Sequence, residues 1–375
     1  MIKNRLLKKV IGVFYYTMMK LWLTLKITLR PGVVKGESYY PELVDRQKSK
    51  IRIWFEQIIY IWKYHSINEF YYLYGFDIKN LKKETDFIDN AQFIRQRSAM
   101  NRRFLEFPPI PVLRDKALFG VVAAAYGINT PKNVGVIHNH GVFLFETKER
   151  LSLDDFLKQK NCLDKGDYFI KKIDGECGDG VFHVEMLNGE LFYKGDLVEA
   201  NTFFEENNRY LIQEAIRCQH PAISVFHNKA INTLRLVTVY DEKKQTIEVF
   251  SCVLRIGTGS NNVDNWAVGG LSVGVDTEKG IMRKYGFYKP GFGTKTTEHP
   301  DSHIEFEGYE IPFIKEAIIQ AKAFHHHLYG IHSVGWDIAI TEDGPCFVEG
   351  NDNWEISLMQ ISNYGLKKEF DQFFK

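Results

Sequence analysis

What is missing from this sequence narrows its class. Five cysteines, Cys162, Cys177, Cys218, Cys252 and Cys346, are scattered with no CxxC spacing among them. Neither a structural zinc site nor a disulfide framework is expected, and reduced thiols in a cytoplasmic protein fit. The formal net charge is only +1 over 375 residues, which excludes the strongly basic footprint of a general nucleic-acid binder. A membrane-spanning helix needs about twenty apolar residues without a charge in the middle. The best stretch, VIGVFYYTMMKLWLTLKITL at residues 10–29, is interrupted by Lys20 and Lys26. No small-residue cleavage site accompanies it, so it does not read as a secretory signal. Internal repeats and low-complexity tracts are absent. An aromatic content of 14% beside 25% charged residues belongs to a folded globular chain.

What is present begins with charge of one sign. Before Glu37, the first acidic residue, stand Lys3, Arg5, Lys8, Lys9, Lys20, Lys26, Arg30 and Lys35. A basic, aromatic helix of this kind suits an anionic membrane surface, reached through residues 1–30. It equally suits a helix packed on the chain's own core with its lysine stems laid along apolar surface. Residues 1–36 are therefore read as a basic aromatic helix. Residues 37–107 are read as a helical region, with apolar positions at three- and four-residue spacing such as Ile53, Ile58, Ile61 and Ile67, Phe70, Leu73. From residue 108 strands and helices alternate. The spacing predicts a helix from about Asp115 to Tyr126 closed by Gly127, a strand after Pro131, strands in DYFIKKI, GVFHVEML, ELFYKG, RLVTVYD and TIEVFSCVL, and an amphipathic helix closed by Gly330. The fold class is α+β.

The first chemical candidate is YFIKKIDGECGDGVFHVE. A strand carrying Lys171 and Lys172 runs into Gly175, Gly178 and Gly180 and then into a second strand. A P-loop or a dinucleotide fingerprint needs a helix after its glycines, so both are excluded. Glycines at a strand-to-strand tip let backbone N–H groups approach an anion, with a lysine supplying charge. Cys177 fits there as a small residue at a tight turn. Downstream, Gln213 and Glu214 in RYLIQEAIRCQH could meet a nucleotide's adenine edge and ribose hydroxyls. Arg235, projecting from a β-branched strand, is of the type that clamps phosphate or carboxylate. Arg255 ends another strand, followed by a polar loop with Asn262, Asp264 and Asn265 and by Gly269–Gly270, a composition suited to a lid.

SVGWDIAI and PCFVEGN read as two strands of a hairpin turning at Asp343–Gly344. That places Asp337 and Glu349 equidistant from the turn, with Asn351 on the face of Glu349. Two carboxylates and an amide converging on one face would repel unless a cation sat between them, and oxygen-only donors suit Mg²⁺. A glycosidase carboxylate pair would leave the lysine hairpin without a use. Asp352 and Glu355 are read either as substrate contacts or as caps of a following helix. His299 and His303 are candidates for a substrate wall, whereas His325–His327 on a helix point in different directions.

Taken in order, RDKALFGVVAAAYGINTP, FIKKIDGECGDGV, LIQEAIRCQHPAISVFHNKAINTLRLVTV, VDNWAVGGLSVGV and GWDIAITEDGPCFVEGND resemble the ATP-grasp superfamily, and within it the sugar-transfer-associated ATP-grasp proteins found with bacterial surface-polysaccharide genes. The resemblance runs from about residue 37 to 370. It implies an ATP-grasp domain over 108–370, divided into 108–165, a glycine-loop subdomain 166–218 and a metal and substrate subdomain 219–370. It implies ATP and two Mg²⁺ ions as cofactors, with Mn²⁺ as a substitute. Lys116 and Lys171 would reach the phosphates; Lys172 stands where many relatives have proline. Gln213, Glu214 and Ile216 would flank the adenine edge, Arg235 would face phosphates or acyl substrate, and Asp337, Glu349 and Asn351 would hold metal, Glu349 bridging. The activity implied is ATP-dependent ligation of a carboxylate to an amine through an acyl phosphate. Lys171 would neutralise the transferring phosphoryl group and Arg235 or Arg255 would hold an oxyanion. The substrate would be a uronic acid or amino-acid substituent of a surface glycan, handled at the inner face of the cytoplasmic membrane. Kinase-like phosphoryl transfer and a non-catalytic nucleotide-binding scaffold are the alternatives.

Overall fold

The computed structural model describes residues 2–30, 36–138, 141–160, 166–175, 180–216 and 218–374, with side chains from residue 11 onward except Lys160. Gly178, Cys177 and Cys162 lie outside the described residues.

The chain opens with α1 (Ile2–Leu29) and α2 (Lys50–Tyr64), followed by α3 (Asn90–Met100), α4 (Ile110–Arg114) and α5 (Lys116–Ala125). Asp115 caps α5, its carboxylate accepting from the Leu118 N–H at 2.8 Å, which satisfies a donor that has no partner inside the helix. Gly127, at φ +67°, turns the chain away from the helix end, as expected from its position. The helical reading of residues 37–107 holds only in part. Residues 67–81 form turns, although Tyr71, Leu73, Tyr74, Phe76 and Ile78 are buried.

Two antiparallel sheets follow. The first contains β1 (Asn133–Ile137), β2 (Gly141–Leu144), β3 (Arg150–Ser152), β4 (Gly166–Lys172), β5 (Val181–Leu187), β6 (Glu190–Tyr193), β7 (Asp196–Val198) and β8 (Tyr210–Glu214), in the order β3-β2-β1-β8-β4-β5-β6-β7. Because β8 sits between β1 and β4, strands on both sides of the division expected at residue 165 share one sheet. The short helices α6 (Leu153–Lys160) and α7 (Ala200–Glu206) cover one face, and Phe156, Ile170, Val184, Phe204 and Ile212 fill the core between.

The second sheet contains β9 (Thr233–Asp241), β10 (Thr246–Ile256), β11 (Leu271–Asp276), β12 (Ile281–Tyr288), β13 (Lys295–Thr296), β14 (Ser333–Thr341) and β15 (Gly344–Asn351), in the order β13-β12-β11-β10-β9-β14-β15. The short α8 (Pro221–Ser224) precedes it; α9 (Ile314–His327), α10 (Ile356–Ser362) and α11 (Lys367–Phe373) complete the chain. Alternation along the strands sorts their side chains onto two faces. Leu234, Leu236, Leu254, Trp336 and Ile338 pack with Phe324 of α9, whose ring stacks on Trp336 at 5.0 Å. On the other face, Val237, Val239 and Val253 lie beneath the aromatic N-terminal cluster and α10.

That N-terminal cluster is built into the second sheet's surroundings. Gln360 of α10 donates to Tyr74 Oη at 2.6 Å and accepts from the Ile88 N–H at 3.0 Å. Asn101 Oδ1 accepts from the N–H groups of His332 and Ser333 at 3.1 and 3.0 Å. Lys82 is the costly member. Its Nζ is buried without a hydrogen-bond partner and lies 5.5 to 6.0 Å from the rings of Tyr40, Phe87, Phe287 and Tyr364. Burial, with the charge of Lys295 adding, lowers its pKa from 10.5 to about 8. The unfolded chain keeps this proton up to about 10.5, so the penalty is fully present below pH 8 and is relieved as pH rises from 8 to 10.5. Lys82→Met is expected to raise the unfolding free energy at pH 7 by on the order of 2–3 kcal/mol, with the gain shrinking above pH 8. Urea unfolding at pH 7 and pH 10 measures this; an unchanged or lower midpoint at pH 7 would contradict it.

Candidate active site

The polar end of the second sheet is assembled by register. Asp337 on β14 pairs with Arg235 on β9 and with Glu349 on β15, so the three side chains leave the same face. Thr233 and Arg255 pair one step further along β9 and β10. Arg235 grips Asp337 with two donors, Nε to Oδ1 and Nη2 to Oδ2, the latter at 2.9 Å. Arg255 Nη2 approaches the same carboxylate at 3.1 Å. Arg255 is in turn held by Asp264, at 3.2 and 3.3 Å, and by Thr233 Oγ1 at 2.8 Å. Asp264 also accepts from the Thr233 N–H at 2.9 Å.

Electrostatics follow from this geometry. Burial alone would raise the Asp337 carboxyl, but the charges of Arg235 and Arg255 overcome it and hold it at about 2. Glu349 has no such clamp. Burial first, and the charge of Asp337 second, push its pKa up. Asn351 Nδ2 donates to Glu349 Oε1 at 3.2 Å, which leaves the amide oxygen available. A hard divalent cation beside Glu349 and Asn351 would offset the charge that burial disfavours, and every donor is oxygen. Arg235 and Arg255 together take three of the about four hydrogen bonds that the Asp337 carboxylate can accept, so Asp337 is the lesser donor to a cation. The residues present fit Mg²⁺.

The first sheet faces this wall across a cleft of about 470 Å³. Lys171, near the end of β4, points into it and donates to Gln213 Oε1 at 2.7 Å; Lys172 is exposed. Burial lowers the Lys171 pKa to about 8 against the opposing pull of Glu349. Lys116, the first residue of α5, donates to the Gly175 carbonyl and so ties the helix to the glycine hairpin. Gly180, at φ +64°, returns the chain into β5. A side chain there would meet Tyr210 Oη at 2.9 Å, so glycine is favoured. Lys116, Lys171, Gly175, Gln213, Glu214, Ile216, Arg235, Arg255, Asp337, Glu349 and Asn351 all line this one cleft. Gly180 does not.

Several expectations change. Asp337 already has a cation, the Arg235 guanidinium on the strand away from Glu349, so Arg235 is committed to Asp337 and is less a free clamp for substrate than its strand position implied. Asp352 is neither a substrate contact nor a cap: Arg114 grips both its oxygens at 2.8 and 2.9 Å. Glu355 sits at the start of α10 without capping it by its side chain and lines the cleft. His299 lies off the cleft, fully buried, with Nε2 2.9 Å from the Gly257 carbonyl. His303 is exposed beside Glu298. Lys289 lines the cleft and was not foreseen, nor was Asp264 as the partner of Arg255. Asp264 stood in a loop already marked as polar, but nothing local named its arginine.

Two sheets closing on a shared cleft, one bearing a glycine hairpin with the inward Lys171 and the other the Asp337 and Glu349 carboxylates, form the architecture of ATP-grasp proteins. Residues 95–373 match the family described as sugar-transfer associated ATP-grasp, and the chain belongs to that family. No curated protein sequence matches it. Among solved structures it is similar to the N5-carboxyaminoimidazole ribonucleotide synthetase of Thermotoga maritima, at 12% identity and TM-score 0.34 over 64% of this chain and 42% of that one. It is similar to the D-alanine-D-alanine ligase of Coxiella burnetii, at 11% identity and TM-score 0.36 over 70% and 56%. It is also similar to the D-alanyl-alanine synthetase A of Vibrio cholerae, at 10% identity and TM-score 0.40 over 70% and 64%. The match spans less than two thirds of each of these chains.

Removing one partner of a buried ion pair leaves the other charge uncompensated, at about 3–5 kcal/mol. Because Arg255 stays 3.1 Å from Asp337, Arg235→Ala is expected to lower stability by somewhat less, on the order of 2–3 kcal/mol. Adding Asp337→Asn to it should recover part of the loss. Thermal or urea unfolding of the single and double variants measures both; a double variant less stable than the single would contradict the ion-pair account.

Proposed function

We propose that the protein is an ATP- and Mg²⁺-dependent carboxylate–amine ligase that works through an acyl phosphate. The observation that carries this reading is the convergence in one cleft of two ammonium groups and two guanidinium groups with the buried Asp337 and the half-buried Glu349. Each sign of charge is costly to bury alone. Together they form a site prepared for a polyanion and its cation.

Glu349, Asn351 and Asp337 would hold Mg²⁺, which when bound supplies charge neutralisation at the nucleotide phosphates. Lys116 and Lys171 would bind those phosphates from the opposite wall, while Gln213, Glu214 and Ile216 would border the nucleoside. An oxygen of the substrate carboxylate forms a bond to the γ-phosphorus as the bond to ADP breaks. Lys171 stabilises the charge spreading over the transferred group. An amine then attacks the acyl carbon, the C–N bond forms, inorganic phosphate leaves, and the amine gives up a proton to solvent. Arg255, held by Asp264 and Thr233, would stabilise the tetrahedral oxyanion. Arg235 orients Asp337. The family supports a substrate on the path of sugar transfer, and we infer that the carboxylate belongs to a uronic acid or amino-acid substituent of a bacterial surface polysaccharide or its precursor. Lys289 on the cleft wall adds a cation for such an anionic substrate.

Purified protein with Mg·ATP and a panel of uronic acids and amines tests this reading. The expected result is ADP and inorganic phosphate released together, only when carboxylate and amine are both present. Release of AMP, or a stable phosphorylated product without free phosphate, would overturn it. Glu349→Gln is expected to lower that turnover by at least about a hundredfold with little change in melting temperature.

A further inference from the structure

Fourteen of the thirty-one large apolar side chains that are exposed among the described residues lie on α1 and α2. Those helices supply only 28 and 15 of the 375 residues, so the exposure is concentrated and not scattered as on an ordinary surface. On α1 the residues Ile11, Phe14, Met18, Leu21, Trp22 and Leu25, each about half exposed or more, recur at three- and four-residue spacing and form one face. On α2 a second stripe, Ile51, Phe55, Ile59 and Trp62, is 71, 54, 65 and 45% exposed. The opposite face of α2 is anchored in the protein through buried Ile53, Gln57, Tyr60 and Ile61, so its outward stripe is fixed by the fold.

The two helices lie side by side. Trp54 Nε1 donates to Thr28 Oγ1 at 3.3 Å, the Tyr16 and His65 rings are 4.9 Å apart, and Lys20 Nζ lies 5.4 Å from the Trp62 ring. Ile27 is the point at which α1 is buried, at 1% exposure. The packing of α1 against its own protein therefore uses one edge and leaves the apolar face open.

We propose that α1 and α2 together form a docking platform for the interface of an anionic phospholipid bilayer. Among the described residues no helix is long and apolar enough to cross a membrane, so the platform lies in the plane of the surface. Residues 2–30 carry seven basic side chains, Lys3, Arg5, Lys8, Lys9, Lys20, Lys26 and Arg30, and no acidic one. That charge matches anionic headgroups, while tryptophan and tyrosine rings suit the boundary between headgroup and acyl chain. A second copy of the chain is a poorer occupant, because pairing α1 with α1 would bring two such basic sets together without an acidic residue to offset them. Two stripes on adjoining helices make the contact a surface, and the α2 stripe stays with the folded protein.

Flotation of the full chain with phosphatidylcholine vesicles containing roughly a third phosphatidylglycerol tests the proposal. Binding is expected, with little to phosphatidylcholine alone, and release near 1 M salt, where the Debye length falls to about 3 Å. Phe55→Glu with Ile59→Glu, and separately Lys20→Glu with Lys26→Glu, should each lower partitioning by about tenfold or more. Ile319→Glu, an exposed position on α9, should leave it unchanged. Circular dichroism melts confirm folding; if the α2 pair perturbs it, the lysine pair carries the comparison. Absence of binding by the folded chain, equal binding to neutral vesicles, or dissolution of a dimer by the α2 pair with vesicle binding intact would overturn the proposal.

Discussion

Asp337 sits in the middle of a strand that is buried on both faces, and two arginines, Arg235 from the adjacent β9 and Arg255 from β10 beyond it, hold its charge. Burying a lone carboxylate is costly, so this pairing constrains everything near it. Arg235 can grip Asp337 only if β9 and β14 are aligned as observed, because a one-residue slip would send the arginine to the apolar face beneath α9. Arg255 reaches Asp337 only from β10, and it is steadied there by Asp264. The lid-like loop after β10 is therefore fastened to the same node as the carboxylate wall. Glu349, one strand further on, lacks a guanidinium of its own, and its raised pKa marks the place where the sheet has unmet demand for positive charge.

The remaining architecture positions groups around that demand. The face carrying the node becomes apolar at Val237, Val239 and Val253, and the N-terminal aromatic cluster closes over it there. Arg114 binds Asp352 just past β15, and two residues later Lys116 begins α5 and reaches the glycine hairpin of the other sheet. One short segment thus connects the two walls of the cleft. Lys171, half-buried near Glu349, has its pKa lowered to about 8 by burial against the pull of that carboxylate.

Local chemistry made much of this legible in the sequence. The Asp343–Gly344 turn located the β14–β15 hairpin, and with it the pairing of Asp337 and Glu349. The Asp115 cap and Gly127 bounded α5, and alternation identified β4, β9 and β10. Non-local pairing was not legible. Insertion of β8 between β1 and β4 joins strands that sequence division kept apart, and no turn signal announces it. The spacing of Ile67, Phe70 and Leu73 imitated a helix. Gly75 at φ +73° instead ends a single turn closed by the Tyr74 N–H on the Phe70 carbonyl, and the aromatics bury one by one. At the site the structure brings Lys116, Lys171, Gln213, Glu214, Arg235, Arg255, Asp337, Glu349 and Asn351 into one cleft. Which charge neutralises which depended on cross-strand neighbours far apart in the chain, so Asp264 and the commitment of Arg235 to Asp337 came only from the fold. The open apolar face of α1 likewise depended on where α2 lies.

The central claim is that Glu349 and Asn351 hold a divalent cation at a node set by Arg235 and Asp337, facing nucleotide phosphates on Lys116 and Lys171. Crystals grown with Mn²⁺ and a non-hydrolysable ATP analogue test it most directly, through anomalous difference density. The account predicts a Mn²⁺ peak about 2.0–2.2 Å from Glu349 and Asn351 oxygens, with phosphates between it and the two lysines and the Arg235–Asp337 pair intact. A well-bound analogue with its metal elsewhere, or with its phosphates away from both lysines, would contradict it.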